Sequence, residues 1–266
     1  MRSPWADPLL KLTLALLLLA GTQLAQAAGC SRPIKAPMAP TGRLVILDAS
    51  GENVDGVWPE VLRQVGAATG CYFEFPVMPR ARLENELIGG KALDVMISAT
   101  RTDERDAAGE FVLLFRQPMM ILTRAEDAGR YTTLAALRKS SWRMVAPRSF
   151  AFSAEYRAFV AELQNDHRAD NANDLDGVGR MLRGSRVDFA FLSPPQAYAT
   201  AGTDLSYRRF EDLPWMEVGL YLSKRTLPPA DLALLRDALS RAARDGTVRR
   251  AFLRFYPAAL ADLNQP

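Results

Sequence analysis

Along residues 43–98 the spacing of apolar positions alternates between two periods. The run "RLVILDAS" (43–50) is β-branched and apolar, then ends in Asp48 and Ser50 before Gly51, which predicts a strand entering a turn. Apolar side chains at Val57, Trp58, Val61, Leu62 and Val65 recur at helical spacing, so residues 57–69 predict a helix, with Gly70 placed to cap it. "CYFEFPV" (71–77) alternates as a second strand. "PRARLENELIGG" (79–90) predicts a helix stopped by its glycines, and "LDVMIS" (93–98) a third strand. Strand and helix alternating at this pitch imply a parallel sheet with crossover helices.

The second half repeats the pattern. "RMVAP" (143–147) and "VDFAFLS" (187–193) predict strands, while residues 153–164 and 178–182 predict helices, the latter ending near Gly184. A strand "VGLYLSK" (218–224), an amphipathic helix over 231–243 and the stretch "DGTVRRAFLRFY" (245–256) close the chain. An α/β chain of two lobes is therefore expected. Trp58, Phe73, Phe75, Phe189 and Phe191 sit at core spacing, and Phe252, Phe255 and Tyr256 predict the inward face of a final helix.

Ahead of these elements, Lys11 precedes the apolar run Leu12 to Ala20, which is far short of the roughly 20 residues a membrane span requires. With Gly21 and the small-residue pattern Ala25-Gln26-Ala27 it predicts residues 1–27 as a cleaved secretory signal peptide. Export to an oxidising periplasm gives the two cysteines a meaning: an even count reads as one disulfide, Cys30 with Cys71. The competing reading takes "AAGC" as a lipidation site at Cys30, leaving Cys71 a lone thiol.

Composition is ordinary for a globular protein, 48% hydrophobic and 24% charged, which argues against disorder. Losing the leader removes Arg2, Lys11 and Asp7, so the net charge goes from +3 to +2, and no basic block points to nucleic acid. The only histidine, His167, lies in a polar stretch that reads as a solvated loop. With two cysteines expected to pair, neither a zinc site nor a Ser-His-Asp triad can be assembled from the usual parts, and no cofactor is expected.

The chain resembles the extracellular solute-binding proteins of family 3, which have the type II periplasmic binding fold. The likeness rests on several segments: Gly51 to Gly56 leading into Val57, Leu87 to Asp94 leading into a strand, Thr102-Asp103-Glu104-Arg105, "MLRGSRVDFAFLS" in the second half and the closing "ARDGTVRRAFLRFY". It covers essentially the whole mature chain. The resemblance implies a discontinuous first lobe, residues 31–118 plus 218–266, and a second lobe over 119–217. It also implies ligand capture in the cleft between them by hinge closure.

The strand end "DVMISATRTDER" (94–105) crowds donors where a parallel sheet presents ligands to strand termini and helix N–H groups. Ser98, Ala99 and Thr100 offer amides and hydroxyls there, and by resemblance Arg105 is the arginine that grips a ligand carboxylate. An equally physical reading makes Thr102 the N-cap of a helix with Asp103 and Glu104 in its first turn. Arg80, after a strand end in the same lobe, could line the same cleft. In the second lobe the resemblance assigns backbone donors at Ser149 and Phe150, with Arg148 exposed. Where amino-acid binders of the family place an aspartate for the ligand ammonium, this chain has Ser193, so that role falls to Asp48 or to no residue.

These residues predict a monomeric periplasmic protein that captures a small carboxylate-bearing solute, an amino acid or related organic acid, and hands it to an ABC permease or a membrane sensor without chemistry. The alternative on the same fold is a dehydratase acting on a prephenate-like dicarboxylate, with Asp48 or Glu52 as the acid.

Overall fold

The computed structural model describes residues 29–51, 53–148 and 152–265. The expected signal segment, Glu52 and the expected contacts Ser149 and Phe150 lie outside the described residues.

The proline-containing segment "SRPIKAPMAP" (31–40) starts the fold. β1 (Ile34–Lys35) comes before β2 (Ile46–Leu47), β3 (Val54–Asp55), α1 (Val57–Thr69) and β4 (Phe73–Glu74), and it pairs in parallel with β4. Asp94 fixes it there. Its carboxylate accepts from both terminal nitrogens of Arg32 at 2.7 Å and from the Lys35 N–H at 2.9 Å. The aspartate of the Leu87 to Asp94 motif is thus a buried clamp between the N-terminal segment and the next strand. The expected strand over 43–50 is instead a small hairpin in which β2 pairs antiparallel with β3, and Asp48 lies in its exposed turn. Helix α1 follows its predicted bounds. Gly70 adopts the left-handed conformation (φ 75°) and its N–H returns to the Gly66 carbonyl, a geometry that a side chain resists.

The first lobe continues through α2 (Arg80–Ile88), β5 (Val95–Thr100), α3 (Asp103–Ala108) and β6 (Gly109–Gln117). The chain then builds the second lobe from β7 (Met120–Arg124), α4 (Leu134–Lys139), β8 (Met144–Pro147), α5 (Ala154–Asn165), β9 (Ala169–Ala172), α6 (Leu175–Arg183), β10 (Phe189–Leu192), α7 (Pro194–Ala201) and β11 (Leu205–Arg209). It returns through β12 (Met216–Ser223), α8 (Pro229–Arg244), α9 (Thr247–Phe255) and α10 (Ala258–Ala261).

The expected all-parallel sheets are mixed ones. Among the described residues one sheet has the order β5-β12-β6, with both neighbours antiparallel to β12. The other has the order β11-β7-β10-β8-β9, parallel over β10-β8-β9 and antiparallel over β11-β7-β10. The reason is topological. The strands that cross between lobes, β7 and β12, run against the strands beside them, a direction that local periodicity does not encode.

Packing follows the apolar pattern. Trp58 stacks on Phe115 at 6.1 Å and meets the edge of Phe252 at 6.4 Å, tying α1 to β6 and α9. In the second lobe Phe189 and Phe191 are fully buried, with Phe191 4.8 Å from Phe210. Each such burial contributes roughly 1.5–3 kcal/mol. Phe252 and Tyr256 face inward as the final helix requires, and His167 is exposed. Cys30 and Cys71 form a disulfide, so both sulfurs are consumed. Closing that 41-residue separation stabilises the fold by up to about 4 kcal/mol in the chain-entropy view.

Candidate functional site

A cavity of about 410 Å³ opens where the two lobes face each other. One wall comes from the first lobe, with Thr41, Gly42, Trp58, Arg80 and Ser98, and the other from the second lobe, with Arg148, Asn173, Asp174 and Asp176. A larger groove of about 630 Å³ runs beside Cys71 and Phe75, but all its lining residues, from Asn53 to Phe75, belong to the first lobe. Of the two, only the 410 Å³ cavity is lined from both lobes.

A break in strand pairing shapes the first wall. Along β5, Met96 pairs with Tyr221 and Ala99 with Gly219, so Ile97 and Ser98 together stand opposite Leu220. Two residues against one is a bulge, and Ser98 takes a left-handed φ of 52° to make it. At this kink the Ile97 and Ser98 carbonyls accept from the Arg80 guanidinium at 3.0 and 3.2 Å. Arg80 opens α2 just after Pro79, where the helix dipole disfavours a cation. Burial, and after it the neighbouring positive charge of Arg105, pulls its pKa down to about 10, which still leaves it charged at neutral pH. Its Nε is buried with no partner, and no carboxylate forms an ion pair with it among the described residues. A cation held at a cost in this way on a cavity wall is a candidate for anion binding.

Arg105 lies behind that wall. Its side chain is 3% exposed. Nε donates to Glu84 Oε1 at 2.6 Å and Nη2 to Oε2 at 2.9 Å, while Nη1 donates to the Thr100 carbonyl at 2.7 Å and its hydroxyl at 3.3 Å. The bidentate fork expected for a ligand is made here with an internal carboxylate. The capping reading of the same segment holds as well, since Thr102 accepts from the Arg105 N–H at 3.3 Å at the start of α3.

Of the remaining residues singled out from the sequence, Ser98 joins Arg80 at the cavity, whereas Ala99 is fully buried in a cluster with Leu83 and Tyr221. Thr100 is a partner of Arg105. Ser193 is buried and forms a capping box with Gln196 at the start of α7. Asp48 accepts from Ser50 and Asn53 in the exposed hairpin turn. Sequence reasoning missed Trp58 as a cavity wall and also the acidic second-lobe wall. Asp174 caps α6 by accepting from the Gly177 N–H at 2.6 Å, and Asp176 follows in the first turn. An Asp immediately before the apolar Leu175 was the available signal, hidden by starting that helix at residue 178.

No family model matches the chain, and no curated protein does either. Solved structures do. An ancestral amino-acid-binding protein, described as a precursor of cyclohexadienyl dehydratase, aligns with a TM-score of 0.69 at 16% identity over 92% of this chain and 100% of that one. An amino acid ABC transporter substrate-binding protein from Streptococcus pneumoniae, bound to L-arginine, gives 0.69 at 16% over 88% and 95%. A histidine kinase sensor domain with similarity to periplasmic binding proteins gives 0.68 at 17% over 84% and 96%. The fold is that of the two-lobed type II periplasmic binding proteins, with a cleft between the lobes.

Proposed function

We propose that the chain is a periplasmic solute-binding protein that captures a small carboxylate-bearing solute, an amino acid or related organic acid, between its lobes for ABC-type import or for sensing. The lobes are taken as residues 31–118 with 218–266 and residues 119–217, hinged at the crossings that follow β6 and precede β12. The signal segment ahead of Cys30 and the disulfide support the periplasmic assignment, and the S. pneumoniae transport protein and the sensor domain support the two uses of capture.

The observation that carries the reading is Arg80, a desolvated guanidinium that forms no ion pair among the described residues, on the wall of the interlobe cavity. A ligand carboxylate would supply the missing charge, and the ligand's other end would face Asp174 and Asp176, which suits a cationic group. Closure over the ligand joins the two walls, and a membrane partner that reads the closed form receives the signal without any reaction. This arrangement moves the anion-binding role from Arg105, where the resemblance puts it, to Arg80.

The test is a thermal-shift panel of L-amino acids, monocarboxylic, dicarboxylic and aromatic acids on the mature protein. A ligand present at a hundred times its Kd adds about 2.7 kcal/mol, a rise of roughly 5–10 °C for a chain of this size. The rise is expected in the parent and absent in Arg80→Gln. A panel that shifts nothing, or one that shifts both proteins equally, overturns the proposal, as does conversion of prephenate to an aromatic product.

A further inference from the structure

The first-lobe wall holds its charges in a fixed arrangement. Arg105 lies close enough to Arg80 for its charge to lower the Arg80 pKa, and Glu84, one helical turn after Arg80 on α2, acts on Arg80 in the opposite sense. The Glu84 carboxylate is directed at Arg105, with two hydrogen bonds of 2.6 and 2.9 Å, and it forms no hydrogen bond to Arg80. Two cations and one anion leave a single positive charge, and it faces the cavity.

We infer that Glu84 is a specificity-determining residue. By pairing with Arg105 it holds this wall at one net positive charge and so selects a solute that presents a single negative charge there over one that presents two. The inference rests on the solute-binding reading above. Without Glu84 the wall would carry two uncompensated guanidiniums, and a second ligand carboxylate would be attracted. Glu84 itself does not line the cavity, and its influence reaches the ligand through Arg105 and the local field.

Selection of this kind is measured as a ratio between ligands of the same shape. The probes are succinamate against succinate and glutamine against glutamate, each pair differing by one negative charge, titrated calorimetrically at pH 7 and low salt. The parent is expected to favour the singly charged member of each pair. In Glu84→Gln the ratio should move about tenfold towards the doubly charged member. That is the factor for one unit charge acting over roughly 8–12 Å at an effective dielectric constant between about 30 and 20. Glu84→Asp, which restores the carboxylate, and Glu84→Gln/Arg105→Gln, which restores the net charge, should both return the ratio towards that of the parent. General damage to the fold weakens both members of a pair alike and leaves the ratio unmoved. An unchanged ratio in Glu84→Gln, or the same shift in the double variant, overturns the inference while the solute-binding reading stands. If no acid in the thermal-shift panel binds, the solute-binding reading fails and takes this inference with it.

Discussion

Replacing Arg105 with methionine separates the two arginines of the first-lobe wall. The substitution keeps an unbranched apolar stem but removes four polar contacts: the pair with Glu84 at 2.6 and 2.9 Å and the bonds to the Thr100 carbonyl at 2.7 Å and hydroxyl at 3.3 Å. Breaking a buried pair by deleting one partner costs about 3–5 kcal/mol because the remaining charge is stranded. Glu84 is 27% exposed and can turn towards water, which lowers the expectation to about 2–3 kcal/mol. For a chain of this size that is a fall in Tm of roughly 5–10 °C by calorimetry. A double-mutant cycle with Glu84→Gln should return a coupling of about 1–3 kcal/mol. In Glu84→Gln/Arg105→Met, which keeps the net charge of the wall, ligand affinity, measured on the acid that gives the largest thermal shift, should stay within about threefold, because neither side chain lines the cavity. Arg80→Met should do the reverse. It loses two bonds to main-chain carbonyls but relieves a desolvated cation, so stability moves by no more than about 1 kcal/mol. Affinity falls about 10- to 150-fold, the equivalent of a charge-assisted bond of roughly 1.5–3 kcal/mol. If Arg105→Met melts within about 2 °C of the parent and loses binding while Arg80→Met binds normally, the roles assigned here are reversed.

Three further outcomes follow from the fold. Burial would lift the Asp94 pKa, but the hydrogen bonds from Arg32, the Lys35 N–H and Thr226 outweigh it and hold the carboxyl below its ordinary range. Its stabilising contribution is therefore complete above the unfolded value of about 3.9 and lost as pH falls through the lower folded value. Acid melts should show the parent losing stability below about pH 4 more steeply than Asp94→Asn. Reducing the Cys30–Cys71 disulfide should lower unfolding stability by up to about 4 kcal/mol in denaturant titrations run with and without reductant. Gly219→Ala would place a Cβ 2.1 Å from the Val112 carbonyl oxygen in the central strand β12, so a loss of about 2–3 kcal/mol is expected in the same titrations.

Elements with an amphipathic period were legible in the sequence: α1 with its Gly70 cap, α2, β5 and the inward faces of α8 and α9 all follow from spacing that local sterics enforce. Strand direction was not legible, because β12 takes its antiparallel place beside β5 and β6 through contacts 99 or more residues apart. Nor was β1, since two residues amid prolines show no period and are held by Asp94 and a parallel neighbour. At the site, the sequence pointed to the end of β5 and to Arg80 and Ser98. It did not reveal that Glu84, 21 positions before Arg105, would take that arginine's fork, because both residues look equally solvated on a helical pattern. Asp48 was misplaced for a related reason. Reading 43–50 as the first strand of the sheet put its end at the cleft, whereas the hairpin turns it to solvent.

On the function proposed above, the bulge at Ile97 and Ser98 explains how Arg80 can serve anion capture despite standing at an unfavourable helix terminus. In regular pairing one of these two carbonyls would be taken up by β12 and the other would point away from it. The slipped register and the left-handed Ser98 instead place two carbonyl oxygens on the guanidinium, fixing its position without neutralising its charge. Carbonyl dipoles offset part of the desolvation of the cation and leave its monopole to act on whatever enters the cleft. A carboxylate in the same place would have completed the charge and removed the reason for a ligand to bind, which is the state that Glu84 imposes on Arg105 nearby. Within one wall, then, the partner chosen for each arginine, main-chain oxygen or side-chain carboxylate, decides whether it serves the ligand or the fold.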